Sequence, residues 1–301
     1  MKASINIGNI KESIMNSNGI FANNINIGEN VEISPQSKII CDNLFIGDGT
    51  VIKGKTQIVC KDCIIGKNNF IVNTHIEGSL NAGRTRFEIG NENLILQNSH
   101  LNCNEKILIG NDVNIGQKVS IWTHASSMNV FDGYPFTKAP VNIGSHVWIT
   151  EGTTILPGVD IGSHIIIGNS SVVNKNLPNG CFAAGVPARI IHSNAYPIIL
   201  SHHEKNEILI DCIKEYNQLL KLKPFNAELR LLENLSIEFI VEKTTIIFDV
   251  VKKEINGEIT EFSEDFRDFL RYRGIKFFSG EPFHSITPIW CANALNNNTI
   301  I

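Results

Sequence analysis

The sequence predicts a parallel β-helix with a small α+β appendage, and three observations carry the prediction. First, an aliphatic residue recurs at every sixth position from Ile143 through Ile149, Ile155, Ile161 and Ile167 to Val173. A period of six suits neither an α-helix nor a simple strand, but it suits a chain that turns a corner every six residues. Second, Ile-Gly pairs recur along the first half, at Ile7, Ile27, Ile46, Ile65, Ile89, Ile109 and Ile115. Third, the periodicity stops near residue 191 and helical and hairpin signals replace it.

The early Ile-Gly pairs stand 19 to 24 residues apart, close to one coil of eighteen with a few residues added at a corner. The widest interval, Ile65 to Ile89, places a small extra loop near Glu77 to Arg86. Nine or ten coils are expected, each turning an aliphatic side chain inward. The glycine after each isoleucine is read as allowing a tight corner that a Cβ would resist. Asparagines 24, 30, 68, 91, 111 and 114 are read as corner residues tolerant of left-handed backbone. Between Ile121 and Ile143 the period fails for 22 residues, which places a loop insertion at 122–140 holding Trp122, Thr123 and His124.

The repeat domain is expected to span 1–191 and the appendage 197–301. Ser201-His-His-Glu204 reads as a helix capping box, followed by apolar residues at helical spacing up to Pro224. Ser236 to Val241 and Thr244 to Val251 read as strands, Asn256-Gly257 as a hairpin turn, and Ser263 as the cap of a short helix closed by Gly274. The appendage carries no recognisable chemistry and is expected to cap the end of the β-helix.

Net charge is −4, which argues against a nucleic-acid surface, and no stretch is apolar for long enough to span a bilayer. The first residues lack a signal-peptide core, so the protein is expected to be cytoplasmic. Seven scattered cysteines suit free thiols, and Cys60-Lys-Asp-Cys63 is a lone pair read as coil packing. His146 and His164 share an Ile-Gly-Ser-His frame eighteen residues apart and are expected to stack as surface residues. No metal site is expected.

The run Ala139-Pro-Val-Asn-Ile-Gly-Ser-His-Val-Trp-Ile149, then Ile155-Leu-Pro-Gly-Val-Asp-Ile-Gly162, Ile167-Gly168, Ser171-Val-Val-Asn-Lys175 and Ala184-Gly-Val-Pro-Ala-Arg-Ile-Ile191, resembles the hexapeptide-repeat acyltransferases. The similarity is to the branch of galactoside, maltose and xenobiotic acetyltransferases and polysaccharide O-acetyltransferases. It is strong over 105–191 and rests on the repeat alone over 5–104. The resemblance implies a left-handed parallel β-helix, a homotrimer with sites between subunits, and acetyl-CoA as co-substrate. By the same resemblance His124 is the catalytic base, with Trp122, Asp132 and Tyr134 on the acceptor side. Trp148 lies beside the acyl and pantetheine channel, with Thr150, Glu151, Gly168 and Ala184 also on the cofactor side. Lys175 and Arg189 match positions near the nucleotide end of CoA. Thr150-Glu151 departs from the small residue usual there, where backbone N–H groups often face the thioester.

Residue chemistry agrees with that assignment. A sugar hydroxyl attacking a thioester must lose its proton, and imidazole suits that task near neutral pH. The expected function is acetyl transfer from acetyl-CoA to a carbohydrate hydroxyl in polysaccharide or surface-glycan biosynthesis. An N-acetyltransferase on an amino sugar or nucleotide-sugar and a non-catalytic glycan-binding scaffold are the alternatives.

Overall fold

The computed structural model describes residues 19–81 and 85–277. These divide after Ile198 into two compact units. The Ile7-Gly8 pair lies outside the described residues.

The first unit is a parallel β-solenoid of about eight turns. Face I stacks the residues paired from Asn24↔Asn43 through Asp62–Ile65, Arg86–Ile89, Lys106–Ile109 and Val141–Ile143 to Asp160–Ile161. Face II runs from Glu32–Ile33 through Val147–Ile149 and Ile165–Ile167 to Phe182–Gly185. Face III begins with Ile20↔Ile39 and continues through Gln57–Val59, His75–Glu77, His100–Asn102 and Ser120–Trp122 to Val172–Val173. Two long strands, Ile20–Ile27 and Lys38–Ile46, pass unbroken through a corner and merge faces I and III into one sheet. The hexads from Ile143 to Val173 visit faces I, II and III in turn, and all six side chains are buried in one continuous core. Cys41, Cys60, Cys63 and Cys103 belong to that core. The six described cysteines are free and buried, and burial pushes the Cys41 thiol up to about 12.

Register shows where extra residues enter. Val59 pairs with Glu77, eighteen residues on, but Asp62 pairs with Arg86, twenty-four on, so six residues are inserted between Glu77 and Arg86. This is the loop the Ile-Gly spacing anticipates.

The corner chemistry differs from the sequence expectation in two respects. The glycines of the Ile-Gly pairs do not hold left-handed backbone; they permit close stacking. A Cβ on Gly144 would lie 2.8 Å from the Gly162 carbonyl carbon of the next coil. The left-handed position falls two residues after each glycine, at Asn30, Gly49, Asn68, Glu92, Asp112, His146 and His164 in successive coils. Of the six corner asparagines, only Asn30 and Asn68 have positive φ. Asn91 and Asn111 instead lend their amide oxygens to the backbone N–H groups of Lys67 and Asn91 in the coil before, at 2.8 and 2.7 Å. Asn24 donates to the Asn43 side chain at 2.7 Å, and Asn43 to Asp62 at 2.7 Å, in a second inter-coil ladder at the start of face I.

The second unit packs two helices on a four-stranded antiparallel sheet. Helix α1, His202–Leu220, starts at Ser201 with both bonds of the capping box. Strands Ala227–Leu231, Ser236–Val241, Thr244–Asp249 and Glu254–Asn256 follow, and the first and last were not foreseen. Helix α2 spans Glu261–Tyr272. Asn256-Gly257 is not the hairpin turn: the chain turns between Asp249 and Glu254, and Gly257 merely ends the edge strand. Likewise Thr260 caps α2, and Ser263 is its capping-box partner three residues on. Both errors come from short-range turn chemistry that the next element overrides. A buried cluster of Tyr216, Phe239, Phe248 and Phe266 forms the core, with the Tyr216 hydroxyl donating to Asp265 at 2.7 Å.

Candidate active site

The break in the hexad period is a β-hairpin. Trp122 ends the face III strand Ser120–Trp122, and the next turn of solenoid resumes on face I at Val141. Between them His124–Ala125 pairs antiparallel with Thr137–Lys138, and a 3-10 turn, Val130–Asp132, lies at the far end. Buried Thr123 anchors the root. Its hydroxyl donates to the Asn102 carbonyl at 2.8 Å and accepts from Glu105 N–H at 2.9 Å, while its carbonyl accepts from Ala139 N–H at 2.9 Å.

This anchoring sets His124, half-buried, at the corner between faces III and I. Its Nδ1 lies 2.9 Å from Asn102 Oδ1 and 3.2 Å from Asn104 Nδ2. One protonation state cannot bond to both. The shorter contact, to an oxygen that can only accept, requires Nδ1–H and leaves the lone pair on Nε2. An Nε2 lone pair is what a general base needs. Asn104 is itself oriented, because its Oδ1 accepts from Ser79 N–H at 2.8 Å. Lys138, the cross-strand partner of His124, pairs with Glu105 at 3.2 Å. Sequence reasoning did not single out Asn102, Asn104, Glu105 or Lys138. Asn102, Asn104 and Glu105 approach His124 by coil stacking from 19 to 22 residues back, and Lys138 by hairpin pairing 14 residues on. The Asn102-Cys-Asn104 run just before a coil corner was the available signal.

The other expected acceptor-side residues are dispersed. Trp122 lies on the outer side of face III, edge-on to His100 at 5.0 Å. Asp132 is exposed in the 3-10 turn, and no hydrogen bond links it to His124; the groups at Nδ1 are the two asparagines. Val130 and Phe131 are exposed in that turn, and Tyr134 and Phe136 are exposed beyond it.

The expected cofactor-side residues gather elsewhere, along the edge of face II that leads to face III. Trp148 is half-exposed in one column with Ile166 and Phe182. Thr150, Gly168 and Ala184 occupy the adjoining column on three successive turns: Thr150 N–H donates to Ile167, and Gly168 N–H to Ala183. Ala184 is the register partner of Arg189 in the closing antiparallel pair, where the exposed Arg189 guanidinium donates to the Ala188 carbonyl at 3.0 Å. Two expectations change here. The Thr150 N–H and hydroxyl both turn to the Ile167 carbonyl, at 3.2 and 2.6 Å, so this backbone donor is spent inside the solenoid. The Glu151 carboxylate is held by Lys118 at 2.7 Å. Lys175 is exposed and follows Val172–Val173, on the face III to face I side where His124 also lies. Within one chain the Trp148 column and His124 are therefore separated by the width of face III, roughly 20 Å for six or seven extended residues.

His146 and His164 stack as expected, with ring centroids 4.7 Å apart and planes at 14°. His146 Nδ1 meets Asp112 at 3.1 Å.

No family model matches the chain. It is 37% identical over 103 residues to a putative lipopolysaccharide biosynthesis O-acetyl transferase, WbbJ, of Escherichia coli, covering 31% of this chain and 53% of that protein. It is 34% identical over 113 residues to the galactoside O-acetyltransferase of the same organism, covering 35% of this chain and 56% of that protein. Over those stretches the chain is similar to curated acetyltransferases. It spans about half the length of the curated relatives it matches. Among solved structures, the polySia-specific acetyltransferase NeuO is 23% identical, covers 69% of this chain and 99% of that one, and has a TM-score of 0.40. No described helix is long and apolar enough to cross a membrane.

Proposed function

We propose that the protein transfers an acetyl group from acetyl-CoA to a carbohydrate hydroxyl, with His124 as general base. The observation that carries this is the Nδ1 contact to Asn102 Oδ1 at 2.9 Å, which presents Nε2 as a proton acceptor at the root of the hairpin. In the proposed reaction Nε2 takes the acceptor hydroxyl proton as its oxygen attacks the thioester carbonyl. The C–S bond then breaks, and CoA leaves as the thiol on receiving that proton. No covalent enzyme intermediate is required. The kinship with O-acetyltransferases favours an ester product, and a polysaccharide or surface-glycan building block as acceptor. With acetyl-CoA as donor, the working compartment is the cytoplasm.

A complete site is proposed to need two copies of the chain, in a homotrimer. The support is the separation of His124 from the Trp148, Gly168 and Ala184 columns, together with an exposed apolar hairpin in which Phe131 is 99% accessible. Large unpaired apolar surface of that kind calls for a partner. Trp122 and Tyr134 are assigned to the acceptor, and Trp148, Lys175 and Arg189 to CoA.

The test is incubation with acetyl-CoA against a panel of sugars and oligosaccharides, following thiol release. His124→Ala is expected to lower turnover about 100-fold or more while CoA binding persists. Undiminished turnover in that variant removes His124 from the mechanism. An alkali-stable product reassigns the acceptor to an amine.

A further inference from the structure

We propose that His75, Glu77 and His100 form a binding site for one divalent transition-metal ion of the zinc type. The site follows from strand geometry. In His75–Glu77 the central Ile76 is buried, so by strand alternation His75 and Glu77 both point outward. Parallel pairing then sets His100 directly against His75 in the next coil. Three ligand-competent atoms converge as a result, all within 4.8 Å of one another. His75 Nε2 is 3.4 Å from Glu77 Oε2, and His100 Nε2 is 3.0 Å from Glu77 Oε1. In a tetrahedral zinc site with bonds of about 2.0–2.1 Å, neighbouring ligand atoms stand about 3.3–3.4 Å apart. The two histidine–carboxylate separations, each to a different oxygen of Glu77, lie near that edge, and a small side-chain rotation brings one oxygen to both rings.

The donor set agrees in kind. Two imidazoles with one carboxylate suit zinc, cobalt or nickel rather than the oxygen-preferring magnesium or calcium. Both imidazoles offer the same ring nitrogen, Nε2, to the same carboxylate. Metal binding replaces hydrogen bonding at each Nε2, and water completes the coordination. His100 is the more shielded of the two histidines, and the edge of Trp122 covers it at a centroid distance of 5.0 Å. His75 and Glu77 remain open enough to admit an ion. Sequence spacing hides the site: the six-residue insertion after Glu77 and one further residue at a corner set the two histidines 25 residues apart, not the eighteen of a regular coil. Glu77 is also the register partner of Asn102, so the ion sits one coil from the residue that orients His124.

The experiment uses the full chain, stripped with a chelator, dialysed, and titrated with Co2+ and then Zn2+. One equivalent of Co2+ per chain is expected, with a visible absorption band and quenching of Trp122 fluorescence, and displacement by Zn2+. His75→Asn and Glu77→Gln are each expected to weaken Co2+ binding at least about tenfold, whereas His146→Asn leaves it unchanged. Absence of stoichiometric binding overturns the proposal and leaves a histidine–carboxylate hydrogen-bonded pair. Binding that survives both His75→Asn and Glu77→Gln, or that is lost with His146→Asn, overturns it as well.

Discussion

At the scale of single residues, the candidate chemistry depends on one side-chain contact. Asn102 Oδ1 holds His124 Nδ1 at 2.9 Å, and Asn102 is itself set by its place on face III. It acts as a positioning residue, because it touches the base and not the reacting atoms. Asn102→Ala is expected to lower kcat about 10–100-fold with little change in the KM for acetyl-CoA. Steady-state kinetics with a responsive acceptor make the check, and an unchanged kcat refutes the orienting role. Asn102→Asp keeps an acceptor at that atom and is expected to recover much of the loss. A merely structural role for the asparagine would not separate the two variants in this way.

At the scale of elements, the hairpin and helix α2 show two ways in which packing sets behaviour. The hairpin root is tied by Thr123, fully buried, whose hydroxyl and carbonyl serve three partners at once. Beyond that root the arm exposes its apolar residues. In α2, burial holds the Asp268 carboxyl well above the usual carboxylate range, up to about 7, although the Arg267 guanidinium at 3.4 Å opposes the shift. An unfolded aspartate releases its proton near pH 4. Between about pH 4 and 7 the folded form therefore binds the extra proton, so stability falls as pH rises through that window. The contribution is complete below about pH 4 and lost above about pH 7, and is on the order of 4 kcal/mol. Among the described residues the α-helices lie only in the second unit. Urea unfolding followed by helical circular dichroism at pH 5 and pH 8 thus reports on it. Asp268→Asn is expected to flatten the difference, and an undiminished slope in the variant assigns it to other groups.

At the scale of the whole molecule, the solenoid behaves as a repeat whose coils each contact their neighbours. The proposed trimer is the natural consequence of a site split across face III. Light scattering is expected to give about three times the 33.4 kDa chain mass. Phe131→Asp is expected to lower that mass and the turnover together, because an exposed aromatic is replaced by a charge that resists burial. A fully active monomer excludes the two-copy site.

The aliphatic hexads were enough to establish the solenoid, because a buried residue every sixth position has few other structural solutions. The insertion at 122–140 was legible as a failure of that period, though not its hairpin pairing, and the α1 cap as a local hydrogen-bonding pattern. What the sequence left open were contacts made across coils. Asn102 meets His124, and His75 meets His100, only after the corner insertions fix which residues stack. Thr150 gives its backbone donor to Ile167 through the regular pairing of successive coils, and Thr260 displaces Ser263 as a cap because the helix starts one turn earlier. Periodicity decides which side chains go inside. Register, accumulated through loops of unequal length, decides which outward side chains become neighbours, and the candidate chemistry of this protein lies among those.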